Sequence, residues 1–253
     1  DRSVSRGLGD VYKRQAPHFI MQTIEDAGRT CYKSEDKINE TSHVAFIERL
    51  VRRGHEAMLE HGYATAHFRV DRGVSHELVR HRLASFAQES TRYCNYKDKD
   101  IEFVRPSWFT NEEADKALEN YSYYLANPSQ NTKKYAIIKW FDICQDTGVA
   151  YKELINHCGR SPQEARSVLP NALATDIVVT ANLREWRTIL KLRCAKDAHP
   201  DMRYIMLRLL SDMHKLFPPV FEDIYQLYKE EVDALARDLV YVLPHTEESG
   251  TDA

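Results

Sequence analysis

Two short segments of the chain have the pattern of a β-strand, whereas helical periodicity occupies most of the remaining sequence. The first, YATAHFRVD at 63–71, alternates apolar and polar residues, and the second, ALATDIVVTA at 172–181, reads as a buried strand. No GxGxxG or GxxxxGK[ST] motif accompanies them, which argues against a Rossmann site or a P-loop. We predict an α+β fold in which a small, mainly antiparallel sheet is packed with helices.

Helical spacing and capping residues predict where the helices lie. Ser42 and Asn182 are placed to cap helices, and Ser161 begins a capping box, SPQE, with proline at the first helical position. The predicted helices cover 18–32, 43–54, 74–82, 111–157 with a break near 126–131, 162–170, 183–194 and about 200–216.

Length and charge limit the class of protein. The 253 residues are enough for one large domain, which we place at 16–244, followed by a polar tail at 245–253. The opening DRSVSRGLGDVYKRQ (1–15) resembles translated sequencing-adapter sequence, and we expect it to be non-native or disordered. A formal charge of −3 gives the whole molecule no reason to favour nucleic acid or an anionic membrane.

The cysteines and the apolar runs indicate which cellular compartment to expect. Five scattered cysteines without a CxxC pair argue against a disulfide framework and favour a reducing cytoplasm. The longest apolar runs are too short to span a bilayer, so no membrane partner is expected.

A cluster of arginines marks the stretch RHRLASFAQESTRY, residues 80–93, at a predicted helix-to-strand junction. On a helix Arg80 and Arg82 lie about 200° apart, which implies two anionic groups or one solvated arginine. The alternative is a solvated helix end in which Glu77 pairs with Arg80 or His81. The hydroxyls that follow, beside another arginine in QESTR, are suited to a phosphate.

Arg193 has an unusual helical phase. It falls between Trp186 and Ile189 on the apolar face of its helix, so we expect it to point inward. A buried guanidinium requires a carboxylate, a carbonyl cluster or a ligand. A structural pair with Asp176 or Glu185 and a contact with a bound ligand are both open. Arg184, Arg187 and Lys191 are predicted to cluster away from that face.

Histidines are dense between residues 55 and 81, but their spacing does not suit a metal site. In GHEAMLEH, Leu59 stands where an HExxH motif starting at His55 requires its second histidine. We predict no metal. Cys94, just beyond the arginines, is a weak candidate for a nucleophile because no base can be assigned to it.

The pattern RHR, followed by seven residues and then Ser90, resembles the signature of flavin-dependent thymidylate synthases. GHEAMLEH, EARSVLP (164–170), TANLREW (180–186) and LKLRC support the resemblance in order. It implies a thymidylate synthase-complementing protein type fold and a homotetramer with shared active sites. It also implies that dUMP is converted to dTMP, with 5,10-methylenetetrahydrofolate supplying the methylene group and FAD, reduced by NADPH, supplying the hydride.

The resemblance assigns individual residues. Arg193 is the catalytic residue, which polarises the uracil ring. Contacts with FAD are assigned to His55, Ala57, Arg80, His81, Arg82, Gln88, Asn182, Arg184, Thr188 and His199. Contacts with dUMP are assigned to Glu77, Arg80, Gln88, Glu89, Ser90, Thr91, Arg92, Arg166 and Arg193. Ala57, Glu77 and Thr188 depart from residues common in the family.

Two other classes of protein are compatible with parts of the pattern. A non-catalytic nucleotide- or RNA-binding module would use Arg80, Arg82 and Arg92 without chemistry. A metal-dependent nucleotide hydrolase would use the histidines. The charge balance and the inward phase of Arg193 disfavour the first alternative, and the histidine spacing disfavours the second.

Overall fold

The computed structural model of the chain describes residues 10–11, 17–128 and 132–235. Most of the segment 1–15 and the whole polar tail 245–253 lie outside these described residues. No helix in the described part of the chain is long and apolar enough to cross a membrane.

The described residues form mainly helices, with one small sheet. The strands are β1 (Asp10–Val11), β2 (Tyr63–Asp71), β3 (Ala84–Gln88) and β4 (Ala174–Asn182). The helices are α1 (Pro17–Thr30), α2 (Ser42–Arg52), α3 (Arg72–Leu78), α4 (Asn111–Leu118), α5 (Tyr121–Ala126), α6 (Thr132–Asn156), α7 (Pro162–Ala165), α8 (Leu183–Arg193), α9 (Pro200–Leu216) and α10 (Pro218–Ala234). Short 3₁₀ helices cover Glu35–Lys37, Glu56–His61 and Arg166–Val168.

The strands form one sheet in the order β1-β2-β4-β3. Strands β3 and β4 are antiparallel, and Phe86 lies opposite Val179. Strand β1 pairs antiparallel with β2, where Asp10 lies opposite His67. Between β2 and β4, the Thr65 and Thr180 hydroxyl oxygens are 2.8 Å apart. The prediction of an α+β fold with a small, mainly antiparallel sheet is confirmed.

Several helix ends fall near their predicted positions, but others differ. Thr41 and not Ser42 is the N-cap residue of α2, and α7 ends at Ala165 rather than 170, where a 3₁₀ helix continues it. Helix α3 ends at Leu78 rather than 82, because the chain turns there to enter β3. Helix α10 was missed in the sequence, since its two leading prolines interrupt a helical pattern. Proline at the first helical position is tolerated because the amide there has no partner in the helix.

The chain folds into two compact units. Of the described residues, the first comprises 10–11, 17–70, 74–89 and 175–235, and the second comprises 71–73, 90–128 and 132–174. The second unit has an aromatic core in which Phe109 packs against Trp140 and Phe141, with ring centroids 5.6 and 6.2 Å away. The single catalytic domain expected at 16–244 stays a prediction.

The core of the first unit is built around Trp186 on α8. Its ring is fully buried, lies 6.5 Å from that of Phe68 on β2, and donates from Nε1 to the Ala64 carbonyl at 2.9 Å. The start of α8 is defined by Asn182, whose Oδ1 accepts from the Glu185 amide at 2.8 Å, so the predicted cap is confirmed. The apolar face of α8 is therefore held against the sheet.

Arg187 is the buried arginine of α8, contrary to the prediction that it lies away from the apolar face. Its side chain is 1% exposed. It donates to both carboxylate oxygens of Asp223 at 2.7 Å, to Glu56 at 2.9 Å and to the Val220 carbonyl. Burial opposes the charge, but the hydrogen bonds with Asp223 and Glu56 outweigh it and raise the pKa of Arg187. The missed helix α10 supplies two of these partners and explains the error.

Arg187→Ala is expected to lower the free energy of unfolding by about 3 kcal/mol, because it leaves two carboxylates without their cation. This is the low end for a broken buried pair, since Glu56 and Asp223 are partly exposed and regain water. Arg184→Ala, which removes an exposed arginine of the same helix, should cost less than about 1 kcal/mol. Urea unfolding followed by circular dichroism measures both, and equal losses would contradict the role assigned to Arg187.

Candidate active site

The segment RHR follows the end of α3 and alternates in exposure. Arg80 and Arg82 are exposed, whereas His81 between them is buried. Because α3 ends at Leu78, the predicted helical phase of 200° does not apply to these arginines. Within the described ranges, neither guanidinium has a carboxylate partner. Two cationic side chains are thus presented to solvent on either side of an inward histidine.

Arg193, the last residue of α8, is held by groups from the end of α3. Its Nη1 donates to Glu77 Oε2 at 2.8 Å, and its Nε donates to His81 Nε2 at 3.0 Å. Its Nη2 lies 3.4 Å from the Glu77 carbonyl oxygen. The side chain is 18% exposed, so it is directed inward but is not sealed from solvent.

These contacts differ from the ion pairs that the sequence suggested for Glu77 and Arg193. Glu77 pairs with Arg193, not with Arg80 or His81. Asp176 pairs with His67 and Arg69 on β2, at 2.8 and 2.6 Å. The carboxylate that holds Arg193 therefore comes from α3, and the two partners proposed for it from the sequence were wrong.

His81 has a defined protonation state because of its neighbours. Arg193 Nε can only donate, so His81 Nε2 accepts and the ring proton lies on Nδ1. Burial, with the adjacent Arg193 charge, lowers the pKa of His81 from 6.5. Its Nδ1 lies 4.0 Å from Glu185 Oε1. Burial raises the pKa of Glu185, so both shifts favour neutral forms and oppose an ion pair.

Glu185 was considered only as a structural partner of Arg193, and the structure places it beside His81 instead. It is buried on the first turn of α8, three residues after the Asn182 cap. That position is visible in the sequence as part of a capping pattern, but its proximity to His81 depends on how α8 packs. No single-helix pattern indicates such a contact.

Several residues assigned to FAD belong to the first unit and are exposed. Arg184 pairs with Glu60, and the Thr188 hydroxyl donates to the Arg184 carbonyl at 3.2 Å. The remaining exposed members of this set are His55, Ala57, Arg80, Arg82 and His199. Asn182 uses Oδ1 for the helix cap, which leaves its amide nitrogen for other contacts.

Gln88 and Glu89, at the end of β3, are half-buried. Gln88 Nε2 donates to the Ser75 hydroxyl at 2.8 Å and to the Thr175 hydroxyl at 3.3 Å. The Glu89 amide donates to the Asp176 carbonyl at 2.9 Å. The side-chain nitrogen Nε2 of Gln88 is thus used in hydrogen bonds within the protein. The side-chain oxygen Oε1 is the atom that can contact a ligand.

The predicted phosphate residues lie in the second unit. Ser90 Oγ accepts from the Arg92 amide at 3.3 Å, and the Thr91 hydroxyl accepts from Arg166 Nη1 at 3.2 Å. Arg92 is exposed and lies over the ring of Tyr93, 5.5 Å from its centroid. The structure brings Arg166 to Thr91 across 75 residues of sequence, which gives this turn two guanidinium groups and two hydroxyls.

Two of the five cysteines are buried, and no candidate metal site is found among the described residues. Burial raises the pKa of Cys144 and of Cys194 to about 12, so both thiols are inert at neutral pH. No three His, Cys, Asp or Glu side chains in the described ranges are grouped so that they could hold a metal ion.

Comparison with known proteins places this arrangement in a family. Residues 19–219 match the family described as "Thymidylate synthase complementing protein". The chain therefore belongs to that family, and the resemblance proposed from the RHR motif is confirmed. Relatives named flavin-dependent thymidylate synthase occur in several bacteria. The one from Corynebacterium aurimucosum is 32% identical over 205 residues, which cover 80% of this chain and 79% of the relative.

Other relatives with the same name are similarly distant. The one from Mycobacteroides abscessus is 30% identical over 203 residues, covering 79% of this chain and 78% of the relative. The one from Geobacter sulfurreducens is 29% identical over 204 residues, covering 78% of each. The likeness extends over most of each protein and is not limited to one motif.

The environment of His81 predicts an effect of pH on stability. Because folding lowers its pKa, the stability that neutral His81 contributes is complete above pH 6.5 and is lost as the pH falls through the lowered value. His81→Gln keeps an acceptor for Arg193 and removes the titration. From pH 6.5 down to about 5, urea unfolding should show a steeper loss for the wild type than for the variant.

His43, whose pKa is also lowered by burial, is present in both proteins, so it does not affect the difference. Parallel pH profiles for wild type and variant would show that His81 has no lowered pKa.

Proposed function

We propose that this chain is a flavin-dependent thymidylate synthase. It converts dUMP to dTMP, taking the methylene group from 5,10-methylenetetrahydrofolate and reducing equivalents from NADPH. Membership of the thymidylate synthase complementing protein family and the names of the relatives support the activity. The observation that carries the mechanism is the position of Arg193, which is held by Glu77 and His81 and has a partly exposed side chain.

The residues assigned to FAD have a chemistry that suits it. Arg80 and Arg82 present guanidinium groups without carboxylate partners in the described ranges, as a pyrophosphate requires. Asn182 offers an amide nitrogen, and Arg184 with Thr188 offers further polar groups on the exposed side of α8. His55, Ala57, His81, Gln88 and His199 complete the proposed set. When bound and reduced, FAD would supply the hydride that completes the methyl group.

Arg193 is proposed to stabilise negative charge on the uracil ring. A guanidinium cannot act as a base at neutral pH, but its N–H groups can donate to a ring carbonyl and favour the ionised ring. His81 accepts from Nε and fixes its direction, so the N–H groups on the other edge of the guanidinium have a defined orientation. Preorganised donors of this kind avoid rearrangement during the reaction.

The phosphate of dUMP is assigned to the turn after β3. Ser90 and Thr91 supply hydroxyls, and Arg92 and Arg166 supply guanidinium groups that can bind oxygens in pairs. Gln88 and Glu89 precede this turn and are proposed to contact the nucleotide. We also propose a cytoplasmic homotetramer with shared active sites, in which residues 16–244 form the catalytic domain and no metal takes part.

The purified protein is expected to carry FAD and to show the visible absorption band of an oxidised flavin. Anaerobic NADPH together with dUMP should bleach that band, because the flavin accepts the hydride of NADPH. Adding 5,10-methylenetetrahydrofolate should then restore the band and yield dTMP, measured by chromatography. If correctly assembled protein bound no FAD, the proposal would be disproved. If the protein bound nucleotide without turnover, the alternative of a non-catalytic binding module would be favoured.

Arg193→Ala is expected to retain FAD and to lower dTMP formation by at least about a hundredfold, because a preorganised donor to the developing charge is lost. Lys191→Ala removes the same charge from an exposed position two residues away and should leave turnover within about twofold. The flavin spectrum and a dTMP assay separate binding from catalysis. Turnover of the Arg193 variant near that of the Lys191 variant would disprove the role of Arg193.

A further inference from the structure

The guanidinium of Arg193, to which the uracil ring is proposed to bind, already contacts a carboxylate of the same chain, that of Glu77. Three of its five N–H groups have partners, one of them the Glu77 carboxylate. By contrast, the exposed Arg80 and Arg82 have no carboxylate partner in the ranges 10–11, 17–128 and 132–235. Among the described residues, Arg193 therefore has a carboxylate counter-ion, whereas the exposed Arg80 and Arg82 have none.

The Glu77–Arg193 pair is weak enough to be exchanged. Glu77 is 33% exposed and Arg193 is 18% exposed, so water reaches both partners. An ion pair with this access to solvent contributes at most roughly a fivefold factor to an equilibrium constant. The pair of Arg187 differs, because that guanidinium is 1% exposed and has two carboxylates and a carbonyl around it. Arg187 stabilises the fold, whereas the Glu77 contact can be given up.

The charges of the pair conflict with the proposed chemistry if the pair persists. An arginine neutralised by a carboxylate exerts little attraction on a developing anion. An ionised uracil ring at Arg193 would also face the negative charge of Glu77, and like charges at short range disfavour each other. The ring and the carboxylate therefore compete for one cation.

We propose that Glu77 is an exchangeable counter-ion of Arg193, which is displaced when the uracil ring of the nucleotide binds. This inference rests on the proposed assignment of Arg193 to the ring. Glu77 holds the guanidinium in place while the site is empty and selects for a ligand whose ring can replace a carboxylate. His81 keeps its contact with Nε throughout, since it occupies a different edge of the guanidinium.

The test is the affinity of FAD-loaded protein for dUMP, measured by isothermal titration calorimetry in wild type and Glu77→Gln. The amide keeps the shape of the side chain and an acceptor for Arg193 but removes the competing charge. The dissociation constant for dUMP should fall by roughly three- to fivefold. An unchanged or higher constant would mean that Glu77 stays on Arg193 when the nucleotide binds, and would overturn the proposal.

A ligand without the ring separates exchange at Arg193 from a general effect of charge. Deoxyribose 5-phosphate has the sugar and phosphate of dUMP but nothing to place at Arg193. Its affinity should be equal in wild type and Glu77→Gln within about twofold. If it gained as much as dUMP, the variant would only have reduced repulsion of the phosphate, and the exchange would be disproved.

Glu231→Gln is a closely matched control in the protein. Glu231 lies 3.0 Å from Arg203, and the two side chains are 35% and 21% exposed, close to the values for Glu77 and Arg193. The substitution makes the same change in charge at a carboxylate that pairs with Arg203 instead of Arg193, although Arg203 also donates to the carbonyl of the adjacent Cys194. It should leave dUMP affinity unchanged. Glu77→Asp, which keeps the charge but shortens the side chain, should give a smaller gain than Glu77→Gln. It provides a second measurement if the glutamine variant folds poorly.

The assignment of Arg193 is checked with the same titration. If wild type fails to bind dUMP, or if Arg193→Ala binds it as tightly as wild type, the assignment fails and the counter-ion proposal fails with it. If wild type binds dUMP and Arg193→Ala weakens binding, while Glu77→Gln changes nothing, only the counter-ion proposal is lost.

Discussion

The first unit depends on the buried guanidinium of Arg187. A charge removed from water has to be matched by carboxylates and carbonyls, and here they come from two elements distant in sequence. Glu56 lies in the 3₁₀ helix before β2, and Asp223 lies on α10. Because both carboxylates bind Arg187, α8 is held against this 3₁₀ helix and against α10. Because Arg193 is on the same helix, the position of the proposed catalytic arginine follows from this buried network.

The end of α3 determines what surrounds Arg193. The helix stops at Leu78, so Glu77 lies on its last turn and His81 lies in the connection to β3. Both side chains reach the guanidinium, one with a charge and one with a neutral acceptor. The exposed arginines on either side of His81 lie in the same connection, which is made of turns. A short helix therefore produces both an inward polar cluster and an outward cationic surface.

Local patterns in the sequence predicted much of the fold and part of the site. Strand alternation identified β2, capping chemistry identified the start of α8 at Asn182, and helical phase indicated that Arg193 faces inward. The spacing of RHR and Ser90 indicated the family before any comparison. The predictions for β2, Asn182 and Arg193 succeeded because each depends on neighbours within one element, where geometry relates sequence spacing directly to direction in space.

The errors have a common cause. Arg187 was predicted to lie away from the apolar face because the phase of one helix shows which side is apolar. It does not show which other sides are covered by later elements, and α10 covers Arg187. Similarly, the phase of Arg80 and Arg82 assumed a helix that ends before them.

The sequence by itself determined the local elements, their caps, the family motif and the inventory of charged groups. Only the tertiary structure decided which carboxylate meets which arginine. Neighbour spacing favoured a pair between Glu77 and Arg80, yet Glu77 pairs with Arg193 across 116 residues. The physical reason is that an exposed arginine is already solvated by water. A half-buried arginine has lost part of that solvation, so it gains more from the carboxylate that packing brings within reach.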